Sequence, residues 1–220
     1  MEKLARDHGF ELYVIGHPGC PPLPGTKRVD AGLNSINCAR GDEMNSILAQ
    51  IVALKPALVI VAGRWSLYTQ GWIREGKLDE ATHFITESSG VQATQEGSIQ
   101  TISRTLPRLL SSLQEGGSAV FLVKEVPVLK DTINNTRKTE AEIVPTREEH
   151  LRVSKPFDDA LKSMPQAKVL DPASRLCAAS CMARKEGVNL YQDDSHLTYE
   201  GSLLFEQDFW ELIKEAIPQR

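Results

Sequence analysis

Hydrophobic positions along the chain follow two rhythms. Ala57-Leu58-Val59-Ile60-Val61-Ala62 and Ala119-Val120-Phe121-Leu122-Val123 are continuous apolar runs, which suit parallel strands buried on both faces. Elsewhere apolar residues recur at three-four spacing, the signature of one helix face. Met44, Ile47, Leu48 and Ile51 predict a helix over 42–54, and Ile99, Ile102, Leu106, Leu109, Leu110 and Leu113 predict one over 98–113. A third is expected over 146–163. Leu203, Phe209, Leu212, Ile213 and Ile217 mark a last helix starting near Thr198. Shorter strands are expected at 11–16, where Leu12, Tyr13, Val14 and Ile15 are β-prone, and at 168–170.

Punctuation supports these bounds. Gly9 closes what reads as the tail of a helix over 1–9, Lys55-Pro56 breaks the next, and Gly116-Gly117 stops the long one. Residues 63–97 read as an elaborated loop, and 132–143 as a polar, mobile excursion. Strands alternating with helices mean βαβ units and a mostly parallel sheet covered on both sides. There are no internal repeats, and residues 1–220 read as one α/β domain.

Composition changes this picture little. At 41% hydrophobic and 25% charged residues the chain can bury an ordinary core. A net charge of −4 and a pI near 5.8, with no basic stripe, exclude a nucleic-acid footprint. No stretch approaches the roughly 18–20 apolar residues of a membrane span, and the first residues lack the apolar core of a signal peptide. The four cysteines fall as two local pairs, Cys20 with Cys38 and Cys177 with Cys181, each in turn-rich sequence. Disulfides are the preferred reading, against zinc ligation or free thiols, and sequence alone leaves three connectivities open. Disulfides imply an oxidising compartment.

In such folds functional groups lie beyond the carboxyl ends of the strands. Three segments qualify: Gly16 to Pro22, Gly63 to Tyr68, and Tyr191 to Gly201. The last reads Asp193-Asp194-Ser195-His196-Leu197-Thr198-Tyr199-Glu200-Gly201. An Asp three residues before a His can accept from imidazole Nδ1–H, fixing the tautomer and leaving Nε2 as a base. Asp194 competes for that orienting role. A bland alternative is a solvated acidic turn with Thr198 as helix cap.

The string D-x-x-H-L-T-x-x-G ahead of the C-terminal helix resembles the last signature block of SGNH hydrolases. The match is closest to the SGNH domain attached to acyltransferase-3 membrane proteins. Gly19-Cys20-Pro21-Pro22, Cys38, Gly63-Arg64-Trp65, and Leu176-Cys177 with Cys181 are similar to further features of that group. The resemblance spans most of residues 10–205. It implies a flavodoxin-like three-layer fold, and His196 and Asp193 as members of a Ser-His-Asp triad. It further implies a Gly19 backbone donor to the oxyanion, with Arg64 and Trp65 as acyl-site candidates in place of the Asn that many relatives carry. It calls for no cofactor and no metal. The implied activity is O-acylation, often acetylation, of cell-surface polysaccharide at the periplasmic face of a bacterial membrane. The partners are then an acyl donor, a polysaccharide acceptor and an upstream membrane acyltransferase domain.

The family's first block, a strand leading into Gly-Asp-Ser, has no counterpart. Gly41-Asp42-Glu43 lacks the Ser, and there is no Gly-x-Ser-x-Gly elbow. The expectation is therefore a chain incomplete at its N-terminus, missing the nucleophile and the strand between 11–16 and 57–62. Two other readings stand beside it. One is a non-catalytic module binding glycan or a partner. The other, much weaker, is a metallohydrolase using His17, His83 or His196, for which no ligand spacing speaks.

Overall fold

The computed structural model describes residues 1–16, 19–29, 41–74, 77–79, 83–87, 93–164 and 166–217. From the N-terminus the elements are α1 (Glu2–His8), β1 (Lys27–Val29), α2 (Gly41–Leu54), β2 (Leu58–Ala62), α3 (Trp65–Thr69), β3 (Trp72–Arg74), β4 (Lys77–Asp79), β5 (Phe84–Thr86) and α4 (Gln95–Glu115). Then follow β6 (Ala119–Val123), α5 (Glu140–Ile143), α6 (Arg147–Leu161), β7 (Lys168–Leu170), α7 (Ala173–Leu176), β8 (Arg184–Lys185), β9 (Val188–Asn189), α8 (Tyr199–Leu203) and α9 (Glu206–Ala216).

The two apolar runs and the short strand near 168 form one parallel sheet in the order β2-β6-β7. Ile60 stands opposite Phe121, and Leu122 opposite Val169. The stripe of α4 explains its docking: Ile102, Leu106, Leu109, Leu110 and Leu113 pack with Val61, Val120, Leu122, Trp65 and Phe157 into the main core. Each such fully buried aliphatic side chain contributes about 1.5–3 kcal/mol. Thr94 and Thr146 cap α4 and α6, their hydroxyls accepting from the N–H of Gly97 and Glu149.

A second cluster lies under the loops that follow β6 and β7. It joins Leu129, Ile133, Ile143, Leu176, Leu190, Tyr191 and Phe205 with the disulfide of Cys177 and Cys181. Cys20 is also disulfide-bonded; its expected partner, Cys38, lies outside the described residues, as does His17.

Four expectations are corrected. Residues 11–16 form no strand. Strand propensity needs a ladder partner and a face to bury; here Tyr13, Val14 and Ile15 are 65, 76 and 52% exposed. Residues 63–97 are not only loop: they carry α3 and three short strands, β5 pairing antiparallel with β1 and β3 with β4. Residues 132–143 are anchored, because Ile133 and Ile143 reach the second core and α5 forms under a capping box from Thr139 and Glu142. The last helix is two, α8 and α9, and the break between them places Phe205 in the second core.

Candidate active site

The loop from Tyr191 to Thr198 is closed at its base by backbone bonds. Gln192 N–H donates to His196 O (2.9 Å), and Thr198 N–H to Leu190 O (2.9 Å). Thr198 then starts α8: its hydroxyl donates to Asn189 O (2.8 Å) and accepts from Gly201 N–H (3.0 Å). Gly201 lies against the preceding chain so tightly that a Cβ would sit 2.9 Å from the Leu190 carbonyl carbon. From the side of β6, Leu129 N–H donates to Asp194 O (2.8 Å), and the buried Tyr191 hydroxyl to Pro127 O (2.9 Å).

On this frame Asp193 and His196 meet. Asp193 Oδ2 is 2.7 Å from His196 Nδ1, while Oδ1 accepts the backbone N–H groups of Ser195 (2.8 Å) and His196 (2.7 Å). Partial burial opposes ionisation of Asp193. The two N–H groups and the imidazole outweigh it and hold the carboxyl below its usual range. The His196 side chain is 70% exposed, and among the described residues Nε2 has no protein partner.

Asp194 turns the other way. Its Oδ1 accepts from the Ser195 hydroxyl (3.0 Å), and its Oδ2 lies 3.7 Å from Arg64 Nη2. Arg64 Nη1 donates to Ser195 Oγ (3.2 Å), and the guanidinium sits 4.9 Å over the Trp72 ring. Arg64 therefore joins the loop of the Asp–His pair across a sequence separation of 131.

Trp65 is turned into the core. It is fully buried, its indole N–H donates to Val123 O (2.9 Å), and its ring stacks on Phe157 at 4.5 Å. With its donor engaged in the core, Trp65 serves packing in place of the expected acyl-site contact. Gly19 stands on a separate loop with φ +68°, where its carbonyl accepts from Arg28 Nη1 (2.7 Å).

Glu125 was not singled out from sequence. It lies just past β6, is buried, and accepts the N–H (3.1 Å) and hydroxyl (2.8 Å) of Ser66. Burial pushes its carboxyl up to about 7, against the pull of the Ser66 donors and Arg64. Its neighbour Lys124 bonds Asp158 (2.8 Å) and Asp171 (2.7 Å). The signal was in the sequence, since charged residues directly after an apolar strand stand at the sheet's functional end. His83 packs against Trp72 with the rings tilted, centroids 5.3 Å apart. Among the described residues no group of three or more His, Cys, Asp or Glu side chains could hold a metal ion.

A mixed α/β domain with a parallel sheet, bearing an Asp–His pair on the loop before its last helices, falls in the flavodoxin-like class. Residues 1–211 match the model of the SGNH domain fused to AT3 domains, and the chain belongs to that family. Membership ties it to acyltransferase- or esterase-related function and to a membrane acyltransferase domain as partner. Such domains are membrane-associated by family, although no helix among the described residues is long and apolar enough to cross a membrane. Neither the curated proteins nor the solved structures contain a significant match.

Proposed function

We propose that the domain takes part in acyl transfer, typically acetyl transfer, to cell-surface polysaccharide at the periplasmic face of a bacterial membrane. In this reading Asp193 and His196 are two members of a Ser-His-Asp triad. The observation that carries it is the 2.7 Å contact between Asp193 Oδ2 and His196 Nδ1, which leaves Nε2 open. The serine belongs to a Gly-Asp-Ser strand that these 220 residues do not contain. Among the described residues β2 pairs only with β6, so its other edge can take a further parallel strand.

The chemistry then runs in two halves. Nε2 of His196 takes the serine proton as Oγ attacks the acyl carbonyl, and returns it to the departing group of the donor as the acyl-serine ester forms. A sugar hydroxyl, deprotonated by the same Nε2, attacks this ester, and the proton passes back to serine Oγ as it leaves. Asp193 steadies the imidazolium in both halves. Gly19 enters as oxyanion donor on the strength of its motif.

Joining an upstream segment with a Gly-Asp-Ser strand to this chain is expected to give turnover of a p-nitrophenyl ester. His196→Ala should abolish that turnover; activity surviving it overturns the mechanism. Product analysis with a polysaccharide acceptor separates transfer from the plain esterase alternative, which releases only free acid.

A second reading is a non-catalytic module that binds glycan or a partner at the same sheet end. It is favoured by the state of the hydroxyl next to His196 in sequence. Ser195 Oγ is engaged by Arg64 and Asp194, and among the described residues no serine hydroxyl bonds the His196 ring. Saturable glycan binding by the 220-residue chain, with no turnover once the Gly-Asp-Ser strand is present, would establish this reading.

A further inference from the structure

Two adjacent carboxylates, Asp193 and Asp194, share one short loop with His196, and a base of this kind needs one defined partner. The structure shows what separates them. Arg64 draws Asp194 aside through Nη2 and holds Ser195 through Nη1, and Ser195 in turn donates to Asp194.

The guanidinium is itself fixed. Arg64 immediately precedes α3, whose first two residues are stapled to the end of β6. The Trp65 indole donates to Val123 O, and Ser66 donates from N–H and hydroxyl to Glu125. The Trp72 ring lies beneath the guanidinium, which is mostly shielded from solvent. A planar fork placed this way can engage a carboxylate and a hydroxyl together, which an ammonium cannot do with the same geometry.

We propose that Arg64 is a positioning residue that sequesters Asp194, so that His196 has Asp193 as its sole carboxylate partner. This rests on the reading of Asp193 and His196 as the catalytic pair. It replaces the expectation that Arg64 contacts the acyl group. Among the described residues, the charged groups bonded to this loop are Asp193 and Asp194 from the loop itself and Arg64 from the β2–α3 turn. Removing Arg64 takes away the cation that holds Asp194 and leaves a second carboxylate loose beside the ring.

The test reads the His196 ring nitrogens and the loop amides by NMR in the 220-residue chain, with no need for turnover. Ring nitrogen shifts report which nitrogen carries the proton, and the Asp193 contact predicts a defined Nδ1–H tautomer. Arg64→Gln is expected to blur that state, with broadened or doubled ring and amide signals at 193–196, as Asp194 is released. The double variant Arg64→Gln with Asp194→Asn should bring back a single sharp set. A merely structural role for Arg64 predicts no such rescue. Unchanged signals in Arg64→Gln, or a double variant that stays broadened, overturn the proposal. The pair reading has its own control. Asp193→Asn must abolish the Nδ1–H preference, and if it does not, the catalytic-pair reading itself falls. Should Arg64→Gln unfold, Arg64→Lys keeps the charge but loses the fork. It should broaden the loop's amide signals, and sharp, unchanged amides there would equally overturn the proposal.

Discussion

Asp193 grips His196 twice, with Oδ2 at 2.7 Å from the ring Nδ1 and Oδ1 at 2.7 Å from the backbone N–H of the same residue. The side-chain bond fixes the tautomer, and the backbone bond fixes where the ring starts. Asp194, one residue on, has neither contact. In an enzyme supplied with its serine strand, Asp193→Asn is therefore expected to lower kcat by roughly 10³–10⁴ with little change in KM. Asp194→Asn should cost less than about tenfold. Steady-state kinetics on an aryl ester separates the two.

Glu125 makes stability depend on pH in an unusual direction. Its carboxyl is pushed up to about 7 by burial, above the ordinary 4.5, so the folded state binds a proton more tightly than the unfolded chain. The resulting stabilisation is fully present below about 4.5 and is lost as pH rises through about 7. Urea denaturation should show on the order of 2–3 kcal/mol less stability from this group at pH 8 than at pH 4.5, at about 1.4 kcal/mol per unit of pKa difference. Glu125→Gln should flatten that slope. A wild-type slope unchanged in the variant would contradict the assignment.

The disulfide of Cys177 and Cys181 closes a very short loop that docks on the start of α6. Arg147 N–H donates to Ala179 O (3.0 Å), and Cys181 N–H to Pro145 O (3.0 Å). Chain-entropy arguments give a cross-link this short about 2 kcal/mol. Replacing both cysteines by Ala should lower the urea midpoint accordingly. Amide-exchange protection should fall first at 145–147 and 177–181.

Thr198 both caps α8 and ties it back to β9, through Gly201 N–H and Asn189 O. Thr198→Ala removes both bonds and is expected to cost about 1–2 kcal/mol. Thr198→Ser should recover most of it. Thermal unfolding of the two variants decides between a hydroxyl effect and a methyl effect.

The sheet and its covering helices were legible because their signals are local. The β2 and β6 runs need only be apolar on both faces, and α6 announces its start with Thr146; α4 was expected only from 98, because its cap Thr94 and first turn precede the apolar stripe. The Asp–His pair was legible for the same reason, since its geometry is built within four consecutive residues. Residues 11–16 misled because strand propensity says nothing about whether a partner lies alongside. The short strands between 72 and 86 are too brief to show a period. Arg64 was visible as a residue but not as a contact, because Asp194 and Ser195 reach it only once β2 and the last loop are folded onto the same sheet end.

Gly201 gives the motif a letter that is set by shape alone. With the Leu190 carbonyl occupying the place of any side chain, position 201 is closed to every other amino acid unless the turn at Leu190 moves with it. A saturation library of residues 190–201 selected only for folding would thus return Gly at 201 as sharply as one selected for turnover would return His at 196. A reader holding the motif alone would see two equally fixed letters, one answering to geometry and the other to chemistry.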